Sequence, residues 1–286
     1  MKSSFFRHFS ISVTWLWLGL FALLPNIALF LVTLLDKGEM DYFIPVFTLN
    51  NYAQLLTPAF LSMLGESLYL ALASTLLCLF VGYPFAAYIA RAPKARRPWL
   101  LLFVAIPFWT SSLVRTYALT MLLQLHGLLS NLLVSLGITK EPVSFMFNNG
   151  AVLLGLTYTL LPFMIFPLYV SLEKLDRNLL DAARDLGAGP MRSFLHVTLP
   201  LTLPGIVAGS MLVFLPSLSC FYVHEILGGA KKMLVGTYIK GQFLTFMNWP
   251  LGAAASTILT LLLIFMIGLH ALARKKAAAN REGGEL

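Results

Sequence analysis

The sequence predicts an all-α integral membrane protein with six transmembrane helices, and two observations predict it. Apolar residues make up 58% of the 286 and charged residues only 11%, whereas a soluble domain carries about a quarter charged residues. Mean hydropathy is correspondingly high, at +0.82. Six stretches also approach the roughly 20 mostly apolar residues that a spanning helix needs. They are Ser12–Leu35, Ser67–Ala90, Trp99–Leu123, Ala151–Leu172, Leu199–Val223 and Leu251–Ala273. Alternation of the β-barrel kind is absent from the sequence.

The basic residues orient these spans. Lys2 and Arg7 precede the first, and Arg91, Lys94, Arg96 and Arg97 crowd the loop after the second. Lys174, Arg177, Arg184 and Arg192 follow the fourth, and Arg274, Lys275, Lys276 and Arg281 follow the sixth. The opposite loops hold Asp36, Glu39, Asp41 and Glu141, with few basic residues apart from Lys231, Lys232 and Lys240. The positive-inside rule then places both termini in the cytoplasm. Residues 1–11 are expected to form a cytoplasmic N-terminus and 12–273 the transmembrane domain. Within that domain lie an extracytoplasmic loop, 36–65, and a cytoplasmic loop, 173–198. Residues 274–286 form a polar, frayed cytoplasmic tail. The net charge of +8 belongs to these split flanks, so no nucleic-acid partner is expected. The first span ends without a convincing cleavage pattern and is expected to stay uncleaved.

Pro107, Pro162, Pro167, Pro204 and Pro216 fall inside spans, where neighbouring helices satisfy the carbonyls they free, and they suggest kinks. The stretch Gly127–Gly137 is too short to span; its Leu and Val residues suit one face of a short interfacial helix bounded by the two glycines. Gly205 and Gly209 make a small-xxx-small face at the start of the fifth span, suited to helix packing. Cys78 and Cys220 stand alone on apolar segments and are read as core filler. The sequence has no metal spacing and no nucleotide fingerprint, so neither cofactor nor metal is expected. Scarce His and the lack of a paired-carboxylate or His-rich cluster in the spans count against a membrane enzyme.

The loop Glu173–Thr198 carries the most information. Leu179, Leu180, Ala182, Ala183 and Leu186 give an apolar face among Asp176, Arg177, Asp181, Arg184 and Asp185. Gly187 suits a left-handed helix end, and Pro190 can open a second helix. By spacing alone, an amphipathic helix lying on the membrane and a docking handle are comparable. Asp181-Ala182-Ala183, Gly187 and Val197-Thr198-Leu199-Pro200 resemble the "EAA" loop of permease subunits of bacterial ABC importers, EAA-x3-G-x9-I-x-LP, with Asp for Glu and Val for Ile. The resemblance implies a type I ABC importer permease fold. It also implies that a separate cytoplasmic ATPase subunit, one of two copies in the transporter, grips the loop at Leu179–Phe194. The coupling residues it marks are Leu179, Asp181, Ala182, Ala183, Gly187, Phe194 and Pro200.

Further runs resemble the spermidine/putrescine branch of these importers. They are Gly82-Tyr83-Pro84-Phe85-Ala86, the run from Pro107 to Tyr117, Leu161-Pro162-Phe163-Met164, Pro167-Leu168-Tyr169, Phe221-Tyr222-Val223 and Gly228-Gly229-Ala230-Lys231. The resemblance implies a polyamine substrate, a second related permease subunit as heterodimer partner, and a periplasmic polyamine-binding protein. His224-Glu225 departs from the family pattern, where Asp is more usual after the aromatic run. Polyammonium cations suit carboxylates and aromatic faces, so the pathway candidates are Glu225, Trp109, Tyr117, Phe221 and Tyr222. Arg115 is a charge at membrane depth and is assigned to a gate or a structural pairing. A permease for another small cationic or organic solute is the alternative within the superfamily. A secondary transporter is the alternative outside it, but would show inverted repeats and more intramembrane charges.

Overall fold

The computed structural model describes residues 2–38, 42–229 and 233–282, with side chains for 8–38, 42–176, 178–229 and 233–268. The described residues hold fourteen α-helices, two π turns, one 3-10 turn and one two-stranded sheet. Six helical stretches are long and apolar enough to cross a membrane: His8–Thr33, Pro58–Arg91, Ser112–Ser135, Asn149–Glu173, Pro190–Ser219 and Trp249–Gly268. The chain divides into two compact units, one of Met1–Ser62 with Tyr238–Leu286, the other Met63–Thr237.

In the first unit, α1 (Lys2–Leu18) and α2 (Leu24–Thr33) are joined by a π turn, Gly19–Leu23. Trp15, Leu16 and Trp17 stay exposed along this stretch, as suits a lipid-facing surface. Strands β1 (Leu35–Asp36) and β2 (Ile44–Phe47) pair antiparallel, and α3 (Asn50–Leu55) follows. Asn51 ties this corner down, donating from Nδ2 to the carbonyls of Thr33 at 2.9 Å and Leu35 at 2.8 Å. Leu55 and Phe60 pack with Leu251, Ala254 and Ala255 of α14 (Trp249–Glu282) in a small core.

Helix α4 (Pro58–Arg91) begins nine residues before the expected start of span two. Thr57 explains the difference, because its hydroxyl accepts the Phe60 N–H at 3.3 Å and starts the helix earlier. The loop 36–65 is therefore partly helical. At the other end of the first unit, α14 runs on to Glu282 where a frayed tail is expected. Its sequence from Ala273 through Ala279 holds Arg, Lys and Ala, all strong helix formers.

The second unit is built on α8 (Asn149–Glu173), which is apolar all round and buries Leu156, Met164 and Leu168. Helix α11 (Leu199–Ser219) packs along it. The Gly205 and Gly209 face is the contact: Gly209 stands so close to Met164 that a Cβ there would lie 2.8 Å from Sδ.

The expected third span, Trp99–Leu123, is broken. Helix α5 (Arg97–Ala105) tightens into a 3-10 turn at Ile106–Trp109, Thr110 and Ser111 are extended, and α6 (Ser112–Leu123) starts afresh. Pro107 lacks the N–H a continuous helix needs there. Helix α7 (Leu128–Ser135) forms between the two glycines, with Gly137 at φ 71°, but it lies within the candidate span Ser112–Ser135, where a short interfacial helix outside the spans is expected. The fifth span also stops short, at Ser219, because Cys220 leaves helical geometry at ψ 77°. A separate α12 (Phe221–Gly228) follows and packs on α8 and α6. Helix α13 (Val235–Leu244) begins where the Val235 N–H meets the Ser67 hydroxyl at 3.0 Å.

Candidate functional site

The loop after α8 folds into two helices. Asp176 caps α9 (Arg177–Asp185) by accepting the Asn178 N–H at 3.0 Å. The helix ends in a paired motif at Gly187, whose φ is 78°. The Gly187 N–H reaches the Arg184 carbonyl at 2.8 Å and the Ala188 N–H reaches that of Ala183 at 2.9 Å, which satisfies two otherwise orphaned carbonyls. Pro190 then opens α10 (Pro190–Ser193), and a π turn, Phe194–Thr198, runs straight into α11.

The apolar residues of α9 divide between two sides. Leu180 lines a cavity of about 70 Å³ with Arg97, Leu172, Glu173 and Thr198, and Arg97 pairs with Glu173 across 2.9 Å. Ala183 is half-buried, while Leu179, Asp181 and Ala182 are exposed. Leu186 is 89% exposed and Met191 69%, an unusual display for a helix that has its own packed side. Asp181 pairs with Arg184 at 3.1 Å on this open surface, an interaction that contributes only about 0–1 kcal/mol.

Phe194 points back toward the membrane helices, its ring edge-on to Tyr83 of α4 at 5.6 Å. The Tyr83 and Thr202 hydroxyls lie 3.1 Å apart, and Pro200 sits half-buried in the first turn of α11. Tyr83 thus joins the loop to two spanning helices. Its place in Gly82-Tyr83-Pro84-Phe85-Ala86 was visible in the sequence; its partners, more than a hundred residues away, were not.

The pathway candidates do not all converge. Phe221 and Tyr222 meet edge-on at 6.0 Å at the start of α12, and Glu225 lies one turn further on, half-buried. Trp109 is 80% exposed on the 3-10 turn and Tyr117 is exposed on α6, so neither lies within the packed interior of the unit. Arg115 is only 8% exposed. Its guanidinium carbon lies 5.9 Å from the ring centroids of both Phe108 and Tyr158. Lys231 and Lys232, alternative partners for Glu225, lie outside the described residues.

Glu66 belongs to this region although its sequence position suggests only a headgroup-facing acid. It acts electrostatically on His224, which is 6% exposed. Burial pushes the His224 imidazole down to about 4, and the Glu66 carboxylate opposes that shift. Unfolded, the same group titrates near 6.5. The unfolded chain therefore binds the extra proton between those values, and stability is lost as pH falls through that window. The melting temperature of the detergent-purified protein is expected to drop between pH 6.5 and 4, and His224→Asn to reduce that drop. The same pH dependence in the variant would contradict a buried neutral His224.

Comparison with known proteins places this architecture. Residues 82–277 match the family described as binding-protein-dependent transport system inner membrane component. The spermidine/putrescine transport system permease protein PotB of Salmonella typhimurium (strain SL1344) is 48% identical over 254 residues, covering 89% of this chain and 88% of that protein. PotB of Escherichia coli (strain K12) is 47% identical over 251 residues, covering 88% and 91%. PotB of Haemophilus influenzae is 42% identical over 270 residues, covering 94% of each. In fold, the chain is similar to a chain of a bacterial ABC transporter involved in import of the acidic polysaccharide alginate. That match has a TM-score of 0.77 over 96% of each chain at 17% identity. The six apolar helices, the type I permease fold and the family match together show that the chain belongs to the multi-pass inner membrane components of binding-protein-dependent transport systems, as a permease subunit.

Proposed function

We propose that this chain is the permease subunit of an ATP-driven importer that carries spermidine and putrescine inward by alternating access. The observation that carries the machine is α9, capped by Asp176, closed by Gly187 and presenting Leu186 on its open side. Two cytoplasmic ATPase subunits, one on this chain and one on a second, related permease, take up that surface. Leu179, Asp181, Ala182 and Ala183 form the gripped face, Gly187 sets its end, and Phe194 and Pro200 pass its movement to Tyr83 and α11. The split basic flanks support cytoplasmic termini, with residues 36–65 outside and 173–198 inside. A periplasmic binding protein delivers the substrate. The polyamine assignment is supported by the spermidine/putrescine names of relatives that align along most of the chain.

Polyamines carry several ammonium groups at neutral pH, and the aromatic pair with the following acid on α12 suits them. In this reading Glu225 receives an ammonium group as the binding protein releases its cargo, with Phe221 and Tyr222 shielding it from water; Trp109 and Tyr117 line the route from the open side of α5 and α6. Glu225→Gln keeps size and hydrogen bonding but removes the charge. Uptake of spermidine is expected to fall about ten-fold, the scale of one desolvated ion pair worth about 1.4 kcal/mol, with protein level and binding-protein docking unchanged. Parental uptake across a range of polyamine concentrations would return Glu225 to the loop surface.

A further inference from the structure

Arg115 is an odd residue to bury in a route for cations. Among the described residues it makes no ion pair, and its buried Nε and Nη1 atoms have no hydrogen-bond partner. A buried charge without hydrogen-bonded partners is costly, so something else must hold it. What faces it is aromatic: the Phe108 and Tyr158 rings, each with its centroid 5.9 Å from the guanidinium carbon. A cation within about 6 Å of a ring face is attracted by the ring quadrupole. Two rings around one cation form an aromatic clamp.

The clamp has the properties of a binding site for an ammonium group. Phe108 and Tyr158 are 42% and 43% exposed, so a second cation can approach the rings from outside. Phe108 sits on the 3-10 turn beside the break in helical backbone at Thr110 and Ser111, and Arg115 lies one turn into the helix that follows. Pro162 lacks the N–H that would otherwise bond the Tyr158 carbonyl, leaving an acceptor on the residue that also supplies a ring. Tyr222 and Ser112 bring hydroxyl groups to the same neighbourhood. No carboxylate is needed for such a clamp to hold a cation, and the absence of an ion pair leaves Arg115 easier to release.

We propose that the Phe108–Tyr158 ring pair is an ammonium subsite of the translocation route, occupied by the Arg115 guanidinium in this conformation and surrendered to a substrate ammonium when Arg115 swings away. Arg115 is then a tethered competitor. It keeps the subsite filled between cycles, and on its return it displaces the substrate by like-charge repulsion and by taking the rings. The proposal rests on the polyamine reading for the identity of the visiting cation, but not for the existence of the subsite.

The test measures equilibrium binding of radiolabelled spermidine, and separately of tetramethylammonium, to the intact permease–ATPase complex in phosphatidylcholine nanodiscs without binding protein. Arg115→Gln is expected to bind both probes five- to ten-fold more tightly than the parent, and adding Phe108→Leu and Tyr158→Leu to it is expected to erase the gain. Equal binding by parent and Arg115→Gln, or a gain that survives loss of both rings, overturns the proposal. If Arg115→Gln does not assemble, Phe108→Leu and Tyr158→Leu decide it in the parent. Each is expected to lower spermidine uptake at saturating loaded binding protein at least five-fold with assembly intact, and parental uptake in both overturns it. A parent complex that moves no spermidine sinks the polyamine reading instead, and tetramethylammonium binding to Arg115→Gln then still decides the subsite.

Discussion

Gly187→Val is expected to release the ATPase from an otherwise intact membrane protein. Gly187 holds φ at 78°, a region in which a β-branched residue is a genuine outlier. A Cβ at this position meets nothing within 4 Å, so crowding contributes no part of the effect; the whole cost is backbone strain, on the order of 1–3 kcal/mol. The chain escapes that strain by unwinding the end of α9, which breaks the pair of bonds to the Arg184 and Ala183 carbonyls and moves Leu186. The spanning helices keep their packing. Co-purified ATPase should therefore fall roughly ten-fold or more, while the melting temperature of the permease stays within a few degrees of the parent. Gly187→Asn, which tolerates the left-handed region better, should retain most of the association. Full ATPase recovery with the Val variant would contradict the assigned role of this turn.

Gly205→Val should do the opposite, wrecking the permease and not merely its docking. A Cβ on Gly205 would strike the Ser171 hydroxyl and lie 2.7 Å from the Pro167 carbonyl oxygen. Backbone cannot step aside as a flexible side chain can, so α8 and α11 must separate. Overpacking a close-packed interior costs about 1–3 kcal/mol, occasionally more, and here the clash falls where α11 packs along α8. Little folded protein should be recovered, and what remains should melt several degrees below the parent. Gly205→Ala should show the same change more weakly. Parental yield and melting temperature for Gly205→Val would mean that the two helices do not meet along this face.

These two glycines also mark how far the sequence could be read. Gly187 was legible because its chemistry is local: a helix pattern that stops at glycine needs no distant partner to be interpreted. The Gly205 and Gly209 spacing announced a packing face but not its counterpart, since nothing in a linear sequence tells α11 that Met164 and Pro167 lie opposite. Apolar length revealed most of the spans, yet it merged α5, the 3-10 turn and α6 into one, because hydropathy is blind to a backbone break whose residues remain apolar. The same blindness carried the fifth span through Cys220 into α12. The aromatic residues chosen for nearby polar groups in sequence come to lie in different surroundings. Phe221 and Tyr222 sit together beside Glu225, whereas Trp109 and Tyr117 turn outward, and the rings that hold Arg115 come from Phe108 and from Tyr158 on another helix. Glu66 and His224 are more than 150 residues apart, and only the fold brings the Glu66 carboxylate within electrostatic range of the His224 ring.

The most direct test of the whole account is ATP-dependent uptake in proteoliposomes containing this chain, its partner permease and two ATPase subunits, with spermidine-loaded binding protein on the outside. Uptake should require ATP in the compartment that holds the ATPases, cease when those subunits cannot hydrolyse it, and not follow an imposed membrane potential. Spermidine accumulation that continues with a hydrolysis-dead ATPase, or that tracks the potential alone, would contradict it.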